Sequence, residues 1–386
     1  MQKMYLNFLP LATAVALAVA CGHVSAADDA VVVKIGNAGP LTGNLAHLGK
    51  DNENGARLAV EEVNQRGLTI GSKKIRLELV SEDDAANPMT GTAVAQKLVD
   101  ERIVAVVGHL NSGVSIPASR IYSDAGIVQI TPSSTDPNYT RGGFKTTYRV
   151  IATDAQQGPA LANFVTNTMH AKTVAIVDDA TAFGKGVADE FEKTAKANGL
   201  QVVAREATND KAIDFKAILT AIKGKKPDVI MYGGMDATAG PFARQANELG
   251  ITAKIVGADG VCTHEVVALA GDGLSNIICS DAVPALSKVA QGSGFEKKYK
   301  ARYGIPVQYT AAGSYDAVMV IVEAMKRANS VNPAKILAAM PATNHDGVIG
   351  PITFNDKGDL KEVMITINDF QNKEKNALEL IKMQAK

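Results

Sequence analysis

The chain has 386 residues, with 40 Lys and Arg balanced by 40 Asp and Glu and a formal net charge of zero. That balance excludes the basic surplus by which nucleic-acid binders are usually recognised. The length is more than one hydrophobic core usually serves and suits two α/β lobes.

At the N-terminus Lys3 precedes an apolar run from Leu9 to Ala20, and Val24-Ser25-Ala26 supplies the small residues of a leader cleavage site. The run is too short to span a bilayer of ~30 Å, and no stop-transfer pattern follows it. Residues 1–26 are therefore expected to be a signal peptide removed near Ala26 on export. Cys21 follows Leu17-Ala18-Val19-Ala20, where the leucine is one residue too far upstream for a lipoprotein box.

From Val31 onward, Val- and Ile-rich runs alternate with helical periodicity. Val31 to Gly36 is followed by Asn52 to Gln65, Ile75 to Ser81 by Pro88 to Asp100, Ile103 to Val107 by Ser115 to Asp124, and then comes Ile127 to Ile130. A second series follows Tyr148-Arg149-Val150: Gln156 to Asn167, Thr173 to Asp178, Phe183 to Ala197, Gln201 to Glu206, Phe215 to Ile222, Val229 to Tyr232, Ala239 to Leu249 and Lys254 to Gly257. Repeated β-α alternation is the mark of parallel sheets, and runs such as Val104-Ala105-Val106-Val107 imply strands covered on both faces. Gly67, Gly126 and Gly250 are expected as left-handed helix ends, and Pro88 and Pro117 in first turns. The less regular remainder holds helices at Phe295 to Arg302, Ala311 to Arg327 and Pro333 to Ala339, with closing strands at Pro351 to Phe354 and Val363 to Ile367. It is expected to return to the first lobe and end on the second.

Two neighbouring strands stop in loops of small hydroxyl residues, Gly108-His109-Leu110-Asn111-Ser112 and Thr131-Pro132-Ser133-Ser134-Thr135. In an open α/β sheet ligands sit outside the carboxyl ends of the strands, where helix N-termini present free N–H groups to an anion. Ser112 or Ser115 can cap the helix that follows. An ordinary N-cap accounts for a lone serine, but two adjacent loops of this type point to a shared anionic ligand. Asp259, ending the last strand of the second series, either pairs an ammonium group across the cleft or serves as a turn aspartate beside Gly260. Phe183 and Met235 sit in glycine-flanked loops after second-series strands and suit an apolar wall.

Of the chain's cysteines, Cys262 and Cys279 follow the leader, and in an exported protein they form one disulfide or remain two buried thiols. Cys262-Thr263-His264-Glu265 has no second ligand cluster, and His264-Glu265-Val266-Val267-Ala268 lacks the second histidine of the zinc motif, so neither metal nor cofactor is expected. No Gly-x-Ser-x-Gly elbow, Gly-Lys-Ser/Thr phosphate loop or Gly-x-Gly-x-x-Gly turn is present, which argues against an enzyme. The clusters Lys223, Lys225, Lys226 and Lys297-Lys298-Lys300-Arg302 fall in helical contexts and are expected to be solvated faces.

Several segments resemble the leucine/isoleucine/valine-binding proteins of bacterial ABC transporters. They are Gly36-Asn37-Ala38-Gly39-Pro40-Leu41-Thr42-Gly43, Gly55-Ala56 with Val63-Asn64, Gly108-His109-Leu110, Ile130-Thr131-Pro132-Ser133-Ser134-Thr135, Gln157-Gly158-Pro159, Tyr232-Gly233-Gly234, and Gly350-Pro351-Ile352 with Lys357-Gly358-Asp359-Leu360. The likeness runs from about Val33 to Asp369 in one register. It implies a type I periplasmic binding protein, two Rossmann-like α/β/α lobes joined by a three-crossover hinge. The first lobe would be 27–152 with about 283–358, and the second 153–282 with about 359–386.

By that resemblance Ser112 and Thr135 bind the ligand α-carboxylate, and Thr135 with the Ser133 carbonyl faces the ammonium group, which Asp259 pairs. Leu48, Leu110, Asn111, Phe183 and Met235 border the ligand side chain, and Ser134 belongs to the same loop. Asp259 stands where leucine-binding members carry a glutamate, and Met235 where they carry a tyrosine. Ala86 and Asn111 stand at the family's first-lobe disulfide. The implied function is a monomeric periplasmic carrier that traps a branched-chain or other apolar amino acid and delivers it to an inner-membrane ABC permease. The alternatives are a binder of a non-amino carboxylate or small amide, and a ligand-sensing module.

Overall fold

The computed structural model describes residues 30–384 and positions 1, 2 and 4. The expected leader, with Lys3, the Leu9 to Ala20 run, Cys21 and the cleavage site, lies outside these residues. Among the described residues no helix is long and apolar enough to cross a membrane.

The first series of elements comprises β1 (Val31–Gly39), α1 (Ala46–Arg66), β2 (Leu68–Ile70), β3 (Lys73–Asp83), α2 (Pro88–Asp100), β4 (Ala105–Gly108), α3 (Ser112–Asp124), β5 (Val128–Thr131), α4 (Asn138–Arg141) and β6 (Thr147–Arg149). Its strands form a sheet in the order β2-β3-β1-β4-β5-β6, parallel except for β2. The second comprises α5 (Asp154–Asn163), β7 (Thr173–Asp178), α6 (Ala182–Ala197), β8 (Gln201–Ala207), α7 (Lys216–Lys225), β9 (Val229–Gly233), α8 (Asp236–Glu248), β10 (Lys254–Gly257), α9 (Glu265–Ala270) and β11 (Ile277–Asp281). The chain then runs through α10 (Gly292–Tyr303), α11 (Thr310–Ala328), α12 (Pro333–Ala339) and the hairpin β12 (His345–Gly347) and β13 (Gly350–Ile352). It ends in β14 (Glu362–Gln371) and β15 (Glu374–Gln384), which extend the second sheet to β15-β14-β11-β10-β9-β7-β8. β14 pairs antiparallel with β11, and β15 antiparallel with β14.

The uninterrupted apolar strands are covered on both faces: every residue of β4, β5, β9 and β11 is buried. Helix α11 returns to the first lobe and packs along α1 under the direction of a buried carboxylate. Asp51, 2% exposed, accepts from the amides of Gln308 (2.9 Å), Thr310 (3.1 Å) and Ala311 (2.7 Å) and from the Thr310 and Tyr299 hydroxyls. A side chain of α1 thus caps α11 in trans, satisfying amides that have no partner within their own helix.

Three crossovers join the lobes and are bonded to one another. Ala152 N donates to Ala282 O at 3.0 Å, and Arg149 N donates to Gly358 O at 2.9 Å. Arg149, fully buried, holds the junction. Its Nε donates to Asp359 Oδ1 at 2.9 Å, and one terminal nitrogen donates to the carbonyls of Ser134 (2.6 Å) and Asp136 (3.0 Å).

Two local expectations, both in α3, are corrected. Helix α3 starts at Ser112 with Asn111 as its N-cap, so neither Ser112 nor Ser115 caps it, and Pro117 lies inside the helix rather than in its first turn. The basic run of α10 meets acids of α1: Lys298 pairs with Glu62 at 2.6 Å and Arg302 with Glu61 at 2.9 Å.

Candidate functional site

Strand order locates the site. In the first sheet β1 lies between β3 and β4, and in the second β7 lies between β8 and β9, so each sheet reverses its winding at one point. The crevice at such a reversal is where ligands bind in open α/β sheets. The loop after β4 carries Leu110 and Asn111 and runs into Ser112 at the head of α3, Phe183 lies in the first turn of α6 after β7, and the loops after β9 and β10 carry Met235 and Asp259. Leu110, Asn111, Ser112, Ser133, Phe183, Met235, Asp259 and Tyr309 line one narrow cavity between the lobes.

The first-lobe half is a set of hydroxyls already sorted by hydrogen bonding. Ser112 Oγ accepts from the amides of Thr135 and Asp136, both at 3.2 Å. With both lone pairs occupied, the hydroxyl has only its proton to offer, a donor suited to a carboxylate. The amides of Val114 and Ser115 bond back to Asn111 O at 2.9 Å, leaving those of Ser112 and Gly113 at the head of α3 without an intrahelical acceptor. Ser133 lines the cavity while its own hydroxyl donates to Leu110 O at 2.6 Å.

Three expected residues occupy other positions. Ser134 is turned away from the cavity, bonding Ser115 Oγ at 2.5 Å and Leu110 O at 3.0 Å, because this hydroxyl zips the two loops together. Leu48 falls on the core face of α1 and is fully buried, so it does not line the cavity. Thr135 is not among the residues that line the cavity. Its carbonyl accepts from Asp154 N at 2.9 Å, and its buried hydroxyl closes no hydrogen bond.

The second-lobe half is acidic and buried. Asp259 is 1% exposed and accepts from Gln157 Nε2 at 2.8 Å, while Gln157 Oε1 accepts from Ser280 Oγ at 3.0 Å. Burial, against the hydrogen bond from Gln157, pushes the Asp259 carboxyl up to about 7. Asp154 is fully buried with both oxygens unpartnered, and burial holds it well above the ordinary carboxylate range. A cation placed among these groups would ionise them.

Gly260 shows how closely the apolar wall is packed. A Cβ there would lie 2.6 Å from Met235 Sδ and 2.8 Å from Phe183 Cε1. Cys262 and Cys279 are joined by a disulfide, which ties the Asp259 loop to β11. Two participants carry no strand-end signal in the sequence. Tyr309 precedes α11 and reaches the cavity from the returning segment, and Gln157 lies in α5, where only the Gln157-Gly158-Pro159 motif marks it.

The model of the family described as periplasmic binding protein matches residues 32–364. A leucine-, isoleucine-, valine-, threonine- and alanine-binding protein of Pseudomonas aeruginosa is 33% identical over 356 residues, covering 92% of this chain and 94% of that protein. The Leu/Ile/Val-binding protein BraC3 of Rhizobium johnstonii is 35% identical over 333 residues, covering 85% and 89%. Among solved structures, the branched-chain amino acid transporter substrate-binding protein LivJ of Streptococcus pneumoniae, in complex with isoleucine, superposes with a TM-score of 0.84. It is 30% identical and covers 92% of this chain and all of that one.

Proposed function

We propose that this chain, which belongs to the periplasmic binding protein family, traps an α-amino acid with an apolar side chain between its lobes and hands it to a membrane permease. The observation that carries the proposal is the division of the cavity: a carboxylate donor, Ser112, stands on one lobe and a buried acid, Asp259, on the other. An α-amino acid has both matching charges on one carbon. Leu110, Phe183, Met235 and Tyr309 supply the wall for its side chain. Burying a leucine-sized group contributes roughly 1.5–3 kcal/mol, and the two charge-assisted contacts add to it.

Capture is a shift of population. Each lobe holds half the contacts, so the ligand has more partners in the closed form and draws the protein toward it in proportion to that difference in affinity. On this proposal the hinge lies where residues 152–153, 282–283 and 358–359 pass between lobes, and the carrier acts as a monomer after removal of a leader near Ala26. The relatives named for leucine, isoleucine and valine support this ligand class.

Calorimetric titration of the refolded, ligand-stripped protein with leucine, isoleucine, valine, phenylalanine and benzoate tests it. Saturable heat with one or more of the amino acids is expected. Heat with benzoate alone would replace the amino acid by a plain carboxylate, which leaves Asp259 without a counter-charge.

A further inference from the structure

Outside the residues that line the ligand cavity, one titratable side chain of the first lobe meets two acids of the second. His47, in the first turn of α1, brings Nε2 to 2.7 Å from Asp236 Oδ2 and to 3.6 Å from Glu265 Oε2. Asp236 is the first residue of the 13-residue helix α8 and is fully buried. Thr263 Oγ1 donates to the same Asp236 oxygen at 2.5 Å.

A neutral bridge runs beside this one. Gln308, anchored to α1 through the bond from its amide to Asp51, donates Nε2 to Glu265 Oε2 at 2.7 Å and accepts from His264 N at 3.1 Å. The contacted oxygens of Asp236 and Glu265 thus already have protein donors.

We propose that His47 is a cross-cleft latch, its protonated ring pairing with Asp236 and Glu265 only when the lobes are closed, so that ligand capture takes up a proton at residues outside the cavity lining. The inference rests on the two-lobe capture proposed above. Burial opposes the protonated ring, but the hydrogen bond and charge of Asp236, with Glu265 behind it, raise His47 above the ordinary histidine value in the closed form. The charged groups that face it are Asp236 from α8 and Glu265 from α9. His264, next to Glu265, is lowered by burial and by Lys375 and does not compete for the proton. Opening the cleft separates His47 from both acids and returns the ring to the ordinary value, so closure binds a proton near neutral pH.

Leucine titrations of wild type, His47→Gln and Asp236→Asn test the latch, run with a chelator from pH 6 to 8.5 in buffers of different ionisation enthalpy. The wild type is expected to take up more protons per leucine than His47→Gln. Its affinity advantage over that variant should fall from roughly fivefold at pH 6 to none at pH 8.5, the scale of one partly exposed ion pair. Asp236→Asn should lose the same pH dependence. Equal proton uptake and equal affinity in wild type and His47→Gln would overturn the latch, as would a difference that the chelator abolishes. If neither leucine nor any of the other amino acids gives heat, the ligand assignment fails separately. Small-angle scattering of the ligand-free protein then decides: a smaller radius at pH 6 than at pH 8.5 in wild type but not in His47→Gln supports the latch, and no difference removes it.

Discussion

Gln157 Nε2 donates to Asp259 Oδ1 at 2.8 Å, and the same amide accepts from Ser280 through its oxygen, so one buried side chain fixes the acid from behind. The remaining carboxylate oxygen is left for the cavity. The pH dependence of capture follows from this arrangement.

Burial raises Asp259 from 3.8 to about 7. A raised folded value means that this group's contribution to stability is complete below about 3.8 and is lost as pH rises through 7. Pairing with an ammonium group favours the ionised acid, so binding an amino acid releases a proton below pH 7. Affinity should therefore fall as pH drops from 7 toward 5, with a limiting slope of about tenfold per pH unit. Calorimetry in the His47→Gln background removes the opposing proton uptake at the latch. Asp259→Asn should abolish the pH dependence and weaken amino-acid binding by roughly 10- to 100-fold, while binding of the corresponding desamino acid changes much less. Equal losses for the two ligands would remove the ammonium role.

Gly260 follows the acid, and its Cα hydrogen faces the apolar wall. A methyl group there would meet Met235 Sδ at 2.6 Å, Phe183 Cε1 at 2.8 Å and Gly234 O at 2.9 Å. The side chains can yield, but the backbone oxygen cannot move without disturbing the start of α8. Gly260→Ala should cost about 1–3 kcal/mol, the usual penalty for overpacking. The loss should appear in ligand affinity as well as in the midpoint of chemical denaturation, since the displaced atoms line the cavity. Unchanged affinity would mean that Phe183 and Met235 do not touch the ligand.

The lobes were legible because their strands are unbroken apolar runs at regular spacing. Val104 to Val107 and Val229 to Tyr232 can be little else, and Pro88 marks the start of α2 to the residue. β15 was not legible, because Glu374–Gln384 is largely exposed and charged, and its strand form comes from pairing with β14 at the sheet edge. At the site, Asp259, Phe183 and Met235 could be found by where strands stop. Tyr309 could not, since it comes from a segment whose return to the cleft depends on α11 packing against α1. Ser134 failed for a different reason. Adjacent hydroxyls in one loop look alike in sequence, and only the fold decides that Ser133 borders the cavity and Ser134 does not, although both hydroxyls bond Leu110 O of the neighbouring loop.

Arg149 links the hinge to the site, and its removal should be expensive. The guanidinium is fully buried, pairs with Asp359 at 2.9 Å and holds the carbonyls of Ser134 and Asp136 that shape the first-lobe loop. Arg149→Ala leaves the Asp359 carboxylate without its partner in a site only 15% exposed. A loss of about 3–5 kcal/mol in unfolding free energy is expected. Arg149→Ala combined with Asp359→Asn should recover part of it, because the uncompensated charge is gone. If the double variant is no more stable than the single one, the loss comes from the carbonyl contacts rather than the ion pair.

The Cys262–Cys279 disulfide joins the Asp259 loop to β11 across a sequence separation of 17. Closing a loop of that length restricts the unfolded chain by about 3 kcal/mol in the chain-entropy model. Replacing both cysteines by serine should therefore lower stability by roughly 2–4 kcal/mol in guanidinium unfolding. Reductant should shift the wild type toward the variant and leave the variant itself unmoved. The bond also sits beside Ser280, the residue that orients Gln157 and through it Asp259. Loosening it should weaken binding of an amino acid more than binding of its desamino analogue. A loss of stability with no such selectivity would confine the disulfide to the fold and leave Gln157 alone responsible for the orientation of the acid.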